Sequence, residues 1–238
     1  MDIYRPPSPI AASTPRVNLR TVMQEVYTWM TLGLMTSAAV AVLFAVTGLT
    51  AVIAPAYIVF LFVELGLVWY LAARIQRIPA QRATTMFLIY AALNGATLSV
   101  ILYYFTLADI SIALFSTGAM FAAMSIIGYT TDVDLSRLGS LLIMALIGLI
   151  VASIANLFFA SSALYWLVSY AGVIIFSGLT AYDTQRIKNQ ALAMDQMDAS
   201  SDTATLTRRV GILGALVLYL DFVNLFLFML RIVGGRRS

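Results

Sequence analysis

The sequence predicts an all-α integral membrane protein, a bundle of seven transmembrane helices. Of its 238 residues, 61% are hydrophobic and only 11% are charged, and the mean hydropathy is +0.93. A soluble domain carries about 25% charged residues, so this composition is too poor in charge to cover a water-facing surface. Long uncharged runs are the second observation. The low charge content and the long uncharged runs together exclude a soluble enzyme, a nucleic-acid-binding protein and a disordered chain.

The uncharged runs place the helices. A helix needs about 20 apolar residues to cross roughly 30 Å of hydrocarbon. The runs cover 26–63, 83–108, 110–131, 138–182 and 210–230, of which only the last is interrupted, by Asp221. The first and fourth runs are long enough for two helices each. The predicted helices lie near 24–47, 54–75, 84–106, 110–130, 136–158, 163–184 and 206–230.

Turn residues divide the two long runs. Gly48, Thr50 and Pro55 lie near the middle of the first run, and Ser161 and Ser162 lie inside the fourth. Gly, Pro and Ser favour turns because of their backbone freedom, fixed φ and local hydrogen bonding, respectively. Each long run is therefore predicted to form a helical hairpin.

The distribution of basic residues predicts a cytoplasmic N-terminus. The connections between helices 1 and 2, 3 and 4, and 5 and 6 contain no Lys or Arg, whereas the alternate connections do. Arg231, Arg236 and Arg237 follow helix 7 on the other side and disagree with this pattern. We nevertheless predict that helix 7 crosses fully. The expected location is the cell's inner (plasma) membrane.

The chain is predicted to hold one folded domain. Residues 1–20 contain four of the six prolines and no apolar core, which is typical of a disordered cytoplasmic tail rather than a signal peptide. Residues 21–238 form the predicted transmembrane domain. Cys and His are absent from the sequence, which excludes thiolate metal sites and imidazole bases. No cofactor is predicted, apart from transient Ca²⁺.

Three acids lie where the solvent is predicted to be lipid: Glu64, Asp183 and Asp221. A carboxylate at the middle of a transmembrane helix costs about 2.5–3.5 kcal/mol on insertion scales, and such a group marks a functional site by default. Asp183 and Asp221 belong to consecutive antiparallel helices and can face one another. Two carboxylates in contact cannot both ionise cheaply and titrate as a unit. They are the predicted pH sensor, although each could instead serve structure alone.

Other polar residues complete the predicted ion path. Glu64 precedes Arg74 by ten residues on helix 2, roughly 15 Å along the axis. Arg74 is expected at the level of Asp183, where a salt bridge could latch helix 2, or it could simply extend to lipid headgroups. Asn224 lies on the same face as Asp221. Oxygen ligands suit Ca²⁺, so Asp183 and Asp221 predict a weak calcium site, with Asn224 along the path.

Several segments resemble one known family. Residues 218–226 read LYLDFVNLF, Tyr182-Asp183 ends helix 6, and Asn94-Gly95 lies in helix 3. These segments, together with 128–135 and 156–158, resemble the Bax-inhibitor (transmembrane Bax inhibitor motif) family over residues 20–232. The chain looks like a bacterial-type member.

The resemblance implies a fold and a function. It implies a seven-helix bundle with the last helix at its centre, and a pH-sensitive calcium leak whose partners are calcium ions, protons and the lipid bilayer. The family's aspartate pair corresponds to Asp183 and Asp221. Its helix-2 arginine corresponds to Arg74, with Arg77 as the alternative, and its helix-2 acid to Glu64.

Three other functions stay open at this stage. A proton-coupled cation exchanger would use the same acids as a leak. An intramembrane aspartyl protease also uses two membrane aspartates, one of them after a tyrosine, as in Tyr182-Asp183. Asp221, however, follows Leu-Tyr-Leu rather than a Gly-x-Gly turn, and the sequence lacks a Pro-Ala-Leu segment. The third alternative is a membrane scaffold whose acids are structural.

Overall fold

The computed structural model describes residues 18–74, 78–195 and 203–235. Within these residues seven helices are long and apolar enough to cross a membrane, which confirms the predicted fold class. We number them α1 (Leu19–Thr47), α2 (Tyr57–Arg74), α3 (Ala80–Leu98), α4 (Leu107–Thr130), α5 (Ser136–Phe159), α6 (Ser162–Asp195) and α7 (Thr203–Gly234). The predicted tail falls largely on residues 1–17, outside the described residues.

The turn between α1 and α2 lies where Gly48 and Pro55 predict it. α1 ends at Gly48, whose φ of 75° lies in the left-handed region that glycine adopts without strain. One helical turn, Thr50–Ile53, follows, and then a short 3₁₀ helix, Ala54–Ala56, which contains Pro55. Proline suits this position because a first helical turn does not use its missing N–H.

Helix lengths differ from the prediction at charged ends. α6 continues to Asp195, eleven residues past its predicted end, and α1 begins at Leu19 rather than near residue 24. The length of an uncharged run reflects only the part of a helix that lies in lipid. The helix itself can continue into water, because its backbone hydrogen bonds do not depend on lipid. α3 ends early, at Leu98, and a separate turn, Ile101–Tyr104, completes the third span.

The seven helices differ in how many neighbouring helices they pack against and in how deeply they are buried. α7 packs against α1, α3, α4 and α6, whereas α2 packs mainly against α3 and α5 mainly against α6. Half of the apolar window of α7 is buried, compared with 11% in the spans that contain α2 and α5. α2 and α5 are therefore the two peripheral helices, each fastened through one neighbour.

α7 runs the full length of the bundle. Its last residue, Gly234, packs against the ring of Phe105, between α3 and α4, and Gly235 packs against Trp166 near the start of α6. Both contacts lie at the end of the bundle that holds the 1–2, 3–4 and 5–6 connections. Arg231 consequently lies at that end, while the side of the membrane it faces stays a prediction.

The connection between α4 and α5 is fastened to α6 by one side chain. The Gln185 amide donates from Nε2 to the carbonyl oxygen of Val133 (2.7 Å) and accepts at Oε1 from the N–H of Leu135 (2.8 Å). In the same connection Asp134 Oδ1 accepts from the N–H of Ser136 (2.9 Å), at the start of α5. Hydrogen bonding to the Ser136 side chain, then to its backbone, lowers the pKa of Asp134.

Replacing Gln185 with alanine should therefore loosen this connection. The change leaves a backbone N–H and a carbonyl without their partners, and we expect a loss of about 1–2 kcal/mol in the free energy of unfolding. Thermal unfolding in detergent measures it. Gln24→Ala, at an exposed position on α1, is the matched control. Equal unfolding midpoints for the two variants would show that the two hydrogen bonds of the Gln185 amide do not stabilise the protein.

Candidate ion pathway

One cavity brings the predicted acids together. It has a volume of about 670 Å³, and every residue that lines it belongs to a membrane-spanning helix. Residues of α6 and α7, of the peripheral helices α2 and α5, and of α3 line it. Glu64, Asp183, Asp221 and Asn224 all line it, among mostly apolar neighbours. Four residues chosen from three distant parts of the sequence thus share one space.

Asp183 and Asp221 are buried neighbours. Their exposed fractions are 9% and 5%, and both line the same cavity from adjacent helices. α6 and α7 approach closely because Gly214 of α7 lies against Ile187 and Gly172 of α6 lies against Phe228. Within the described residues, Asp221 Oδ2 has no hydrogen-bond partner. A buried carboxylate oxygen left in this way is costly unless a proton, water or cation meets it.

Arg186, rather than Arg74, is the cation beside this pair. Arg186 Nη1 lies 4.0 Å from Asp183 Oδ1, one turn further along α6, and its side chain also lines the cavity. The predicted ion pair between Arg74 and Asp183 is not formed. Arg74 is exposed in the last turn of α2, and the alternative, Arg77, lies outside the described residues. The (i, i+3) spacing after Asp183 could have indicated Arg186 from the sequence.

Glu64 is held by α3. Its exposed fraction is 5%; Oε2 accepts from Asn94 Nδ2 (3.2 Å), and Oε1 accepts from the Thr97 hydroxyl. Asn94 in turn accepts at Oδ1 from the Tyr219 hydroxyl of α7 (3.0 Å). Thr97 and Tyr219 carry no charge, so the search for charges in apolar runs did not identify them, although Tyr219 lies within the segment 218–226 that carries the family resemblance.

The calcium ligand set is sparse. Asn224 is half-buried and donates from Nδ2 to the carbonyl oxygen of Leu220 in its own helix (2.8 Å). In the part of the chain that the structure describes, no three acidic side chains are grouped closely enough to hold a metal ion together. Calcium binding by Asp183 and Asp221 stays a prediction.

Comparison with known proteins shows which family the sequence belongs to. The family model described as inhibitor of apoptosis-promoting Bax1 matches residues 19–238. The inner membrane protein YbhL of Escherichia coli K12 is 47% identical over 227 residues, which cover 94% of this chain and 95% of YbhL. An uncharacterized protein of Deinococcus radiodurans is 40% identical over 92% of both chains. One from Borreliella burgdorferi is 43% identical over 76% of both. This multi-pass membrane protein therefore belongs to the Bax-inhibitor family.

Proposed function

We propose that the protein is a pH-sensitive calcium leak of the inner membrane. The observation that carries the proposal is that Glu64, Asp183 and Asp221 line one intramembrane cavity. Acids are rare inside membranes and mark ion or proton paths when they face a cavity. The inner-membrane location is proposed from YbhL, whose name states it.

The chemistry of the cavity favours a hard cation. Carboxylate and amide oxygens are ligands for Ca²⁺ and Mg²⁺, and the cavity offers both kinds. Three acids and one arginine line it, so its charge is negative when the acids are ionised. A leak needs a site that binds an ion weakly enough to release it. Two aspartates and one half-buried amide meet that need better than a closed ligand cage.

Protonation of the aspartate pair is the proposed switch. Asp183, Asp221 and Arg186 line the same cavity, so a proton on either aspartate changes the charge that both Arg186 and a passing cation meet. α2 is the proposed gate, because it packs mainly against α3 and borders the cavity. Arg74 lies in the last turn of α2 and moves with it, so we propose that it pairs with Asp183 in another state of the gate.

Calcium flux into liposomes that contain the purified protein tests this function. We expect the wild-type flux to change about tenfold or more with pH, which requires about 1.4 kcal/mol of difference in proton affinity between the two states. Asp183→Asn and Asp221→Asn should each lose this pH response. Asp132→Asn is the matched control, since Asp132 is exposed in the connection between α4 and α5.

Three outcomes of the flux experiment would contradict different parts of the proposal. A wild-type flux equal to that of empty liposomes would refute the leak. An unchanged pH response in both asparagine variants would refute the switch. Calcium movement that obligatorily drives protons the other way would assign an exchanger instead.

A further inference from the structure

A buried series of hydrogen bonds between uncharged groups leads from Glu64 of α2 to Ser37 of α1. Ser37 Oγ of α1 lies 2.7 Å from the Tyr219 hydroxyl, which lies 3.0 Å from Asn94 Oδ1. Asn94 Nδ2 lies 3.2 Å from Glu64 Oε2. The chain thus joins α1, α7, α3 and α2 in that order. Tyr219 is fully buried and stands two residues before Asp221.

The hydrogen bonds of this series can run in either of two donor-to-acceptor directions, depending on whether Glu64 is ionised or protonated. An ionised Glu64 can only accept, so the NH₂ group of Asn94 must face it, and the amide oxygen must face Tyr219. Tyr219 then donates to Asn94, and Ser37 Oγ can donate to Tyr219. A protonated Glu64 can donate to the amide oxygen of a rotated Asn94, whose NH₂ then donates to Tyr219. Tyr219 donates in turn to Ser37.

The far end of the chain accommodates both directions. Ser37 Oγ lies 2.7 Å from the carbonyl oxygen of Ala91 and 3.1 Å from that of Gly33. Its single proton can therefore go to Ala91 whenever Tyr219 donates to Ser37. At this end α1 and α3 pack closely, since a Cβ at Gly95 would overlap the backbone of Ser37. This close packing fixes the position of Ser37 relative to α3. Every group in the chain is paired in both directions.

We propose that Ser37, Tyr219 and Asn94 form a reversible hydrogen-bonded relay that reads the protonation of Glu64, with Tyr219 as a positioning residue for α2. The relay deepens the proposed function, because it links the charge on the proposed gate helix to the helix that carries Asp221. It explains why three uncharged polar groups are buried in the centre of a membrane bundle, where each needs a partner.

Other polar and ionisable groups lie near Glu64 or share its cavity. Thr97 and Tyr90 of α3 lie beside it, Tyr57 precedes it at the start of α2, and Asp183, Arg186 and Asp221 share its cavity. Any of these could alter the pH at which Glu64 changes charge. The test therefore follows the relay itself rather than the pH value of the transition.

Hydrogen exchange of the α2 backbone, measured in lipid nanodiscs without calcium, tests the relay. Hydrogen bonds between membrane helices contribute modestly, so Tyr219→Phe should raise exchange of Tyr57–Arg74 by about threefold to tenfold. In an Asn94→Leu background the same change should add nothing, since the middle link is already lost. In a Glu64→Gln background, Tyr219→Phe should no longer change how α2 exchange depends on pH, because the group that the relay reads cannot ionise. Tyr103→Phe, which removes an exposed hydroxyl, should match wild type.

Two results would overturn the relay. One is equal α2 exchange in wild type and Tyr219→Phe; the other is an undiminished Tyr219→Phe effect in the Asn94→Leu background. If Tyr219→Phe fails to fold, Ser37→Ala breaks the far end and should raise α2 exchange in the same direction. Because this readout uses no calcium, the relay can stand if the leak fails, and the leak can stand if the relay fails.

Discussion

Replacing Gly128 with alanine should destabilise the bundle by about 1–3 kcal/mol, because it separates α4 from α6. A Cβ at Gly128 would overlap the backbone carbonyl of Ala181. Backbone atoms in the middle of a helix cannot rotate away as a side chain can, so the two helices must move apart. Asp183 lies two residues beyond Ala181, and the displacement should also disturb the aspartate pair.

Gly118 offers the matched control on the same helix. Nothing lies within 4 Å of a Cβ built there, and alanine is a better helix former than glycine by about 1 kcal/mol. Gly118→Ala should therefore unfold at the wild-type temperature or slightly above it in detergent, and Gly128→Ala well below. Equal midpoints for the two variants would show that the contact between α4 and α6 is not as close as described.

Replacing Asp221 with leucine should stabilise the protein while it abolishes conduction. Within the described residues Asp221 Oδ2 is buried and lacks a hydrogen-bond partner, and such an atom costs about 1–3 kcal/mol. Leucine removes that cost and adds apolar contact with the cavity wall. Residues kept for function at the expense of stability behave in this way.

Thermal unfolding and liposome flux, measured on the same preparations, test this trade-off. Asp132→Leu, at an exposed position, should leave the flux at the wild-type level. A large loss of stability in Asp221→Leu would contradict the account, because it would mean that Asp221 makes a structural hydrogen bond that the helices require.

The membrane architecture could be predicted almost completely from the distribution of charge. Lipid excludes charge so strongly that uncharged runs located all seven spans, and Gly48 with Pro55 located the first turn. Helix ends were less predictable. α6 continues to Asp195 because a helix needs only its own hydrogen bonds once it leaves the lipid.

The acids that line the cavity could be picked out from the sequence, whereas most of their partners could not, and the roles of these acids stay a prediction. Glu64, Asp183 and Asp221 stand out because each lies within or at the end of a long apolar run, and all three line one cavity. The (i, i+3) spacing could have indicated Arg186 as a partner of Asp183, whereas the distance from Asp183 to Arg74 depends on where α2 lies, which the sequence does not fix. Ser37 and Tyr219 are 182 residues apart and meet only because α1 packs against α7, so their hydrogen bond could not be predicted from the sequence, although Tyr219 lies in the segment 218–226 that carries the resemblance.

Infrared titration of the protein in bilayers, with isotope-labelled aspartate, tests the central claim most directly. The claim is that Asp183 and Asp221 share protons as one unit and that this unit controls the flux. We predict that the carboxyl band assigned to Asp221 changes over the same pH range as calcium flux, and that Asp183→Asn shifts that range. An Asp221 band that titrates identically with and without Asp183, or at pH values where the flux stays constant, would contradict the account.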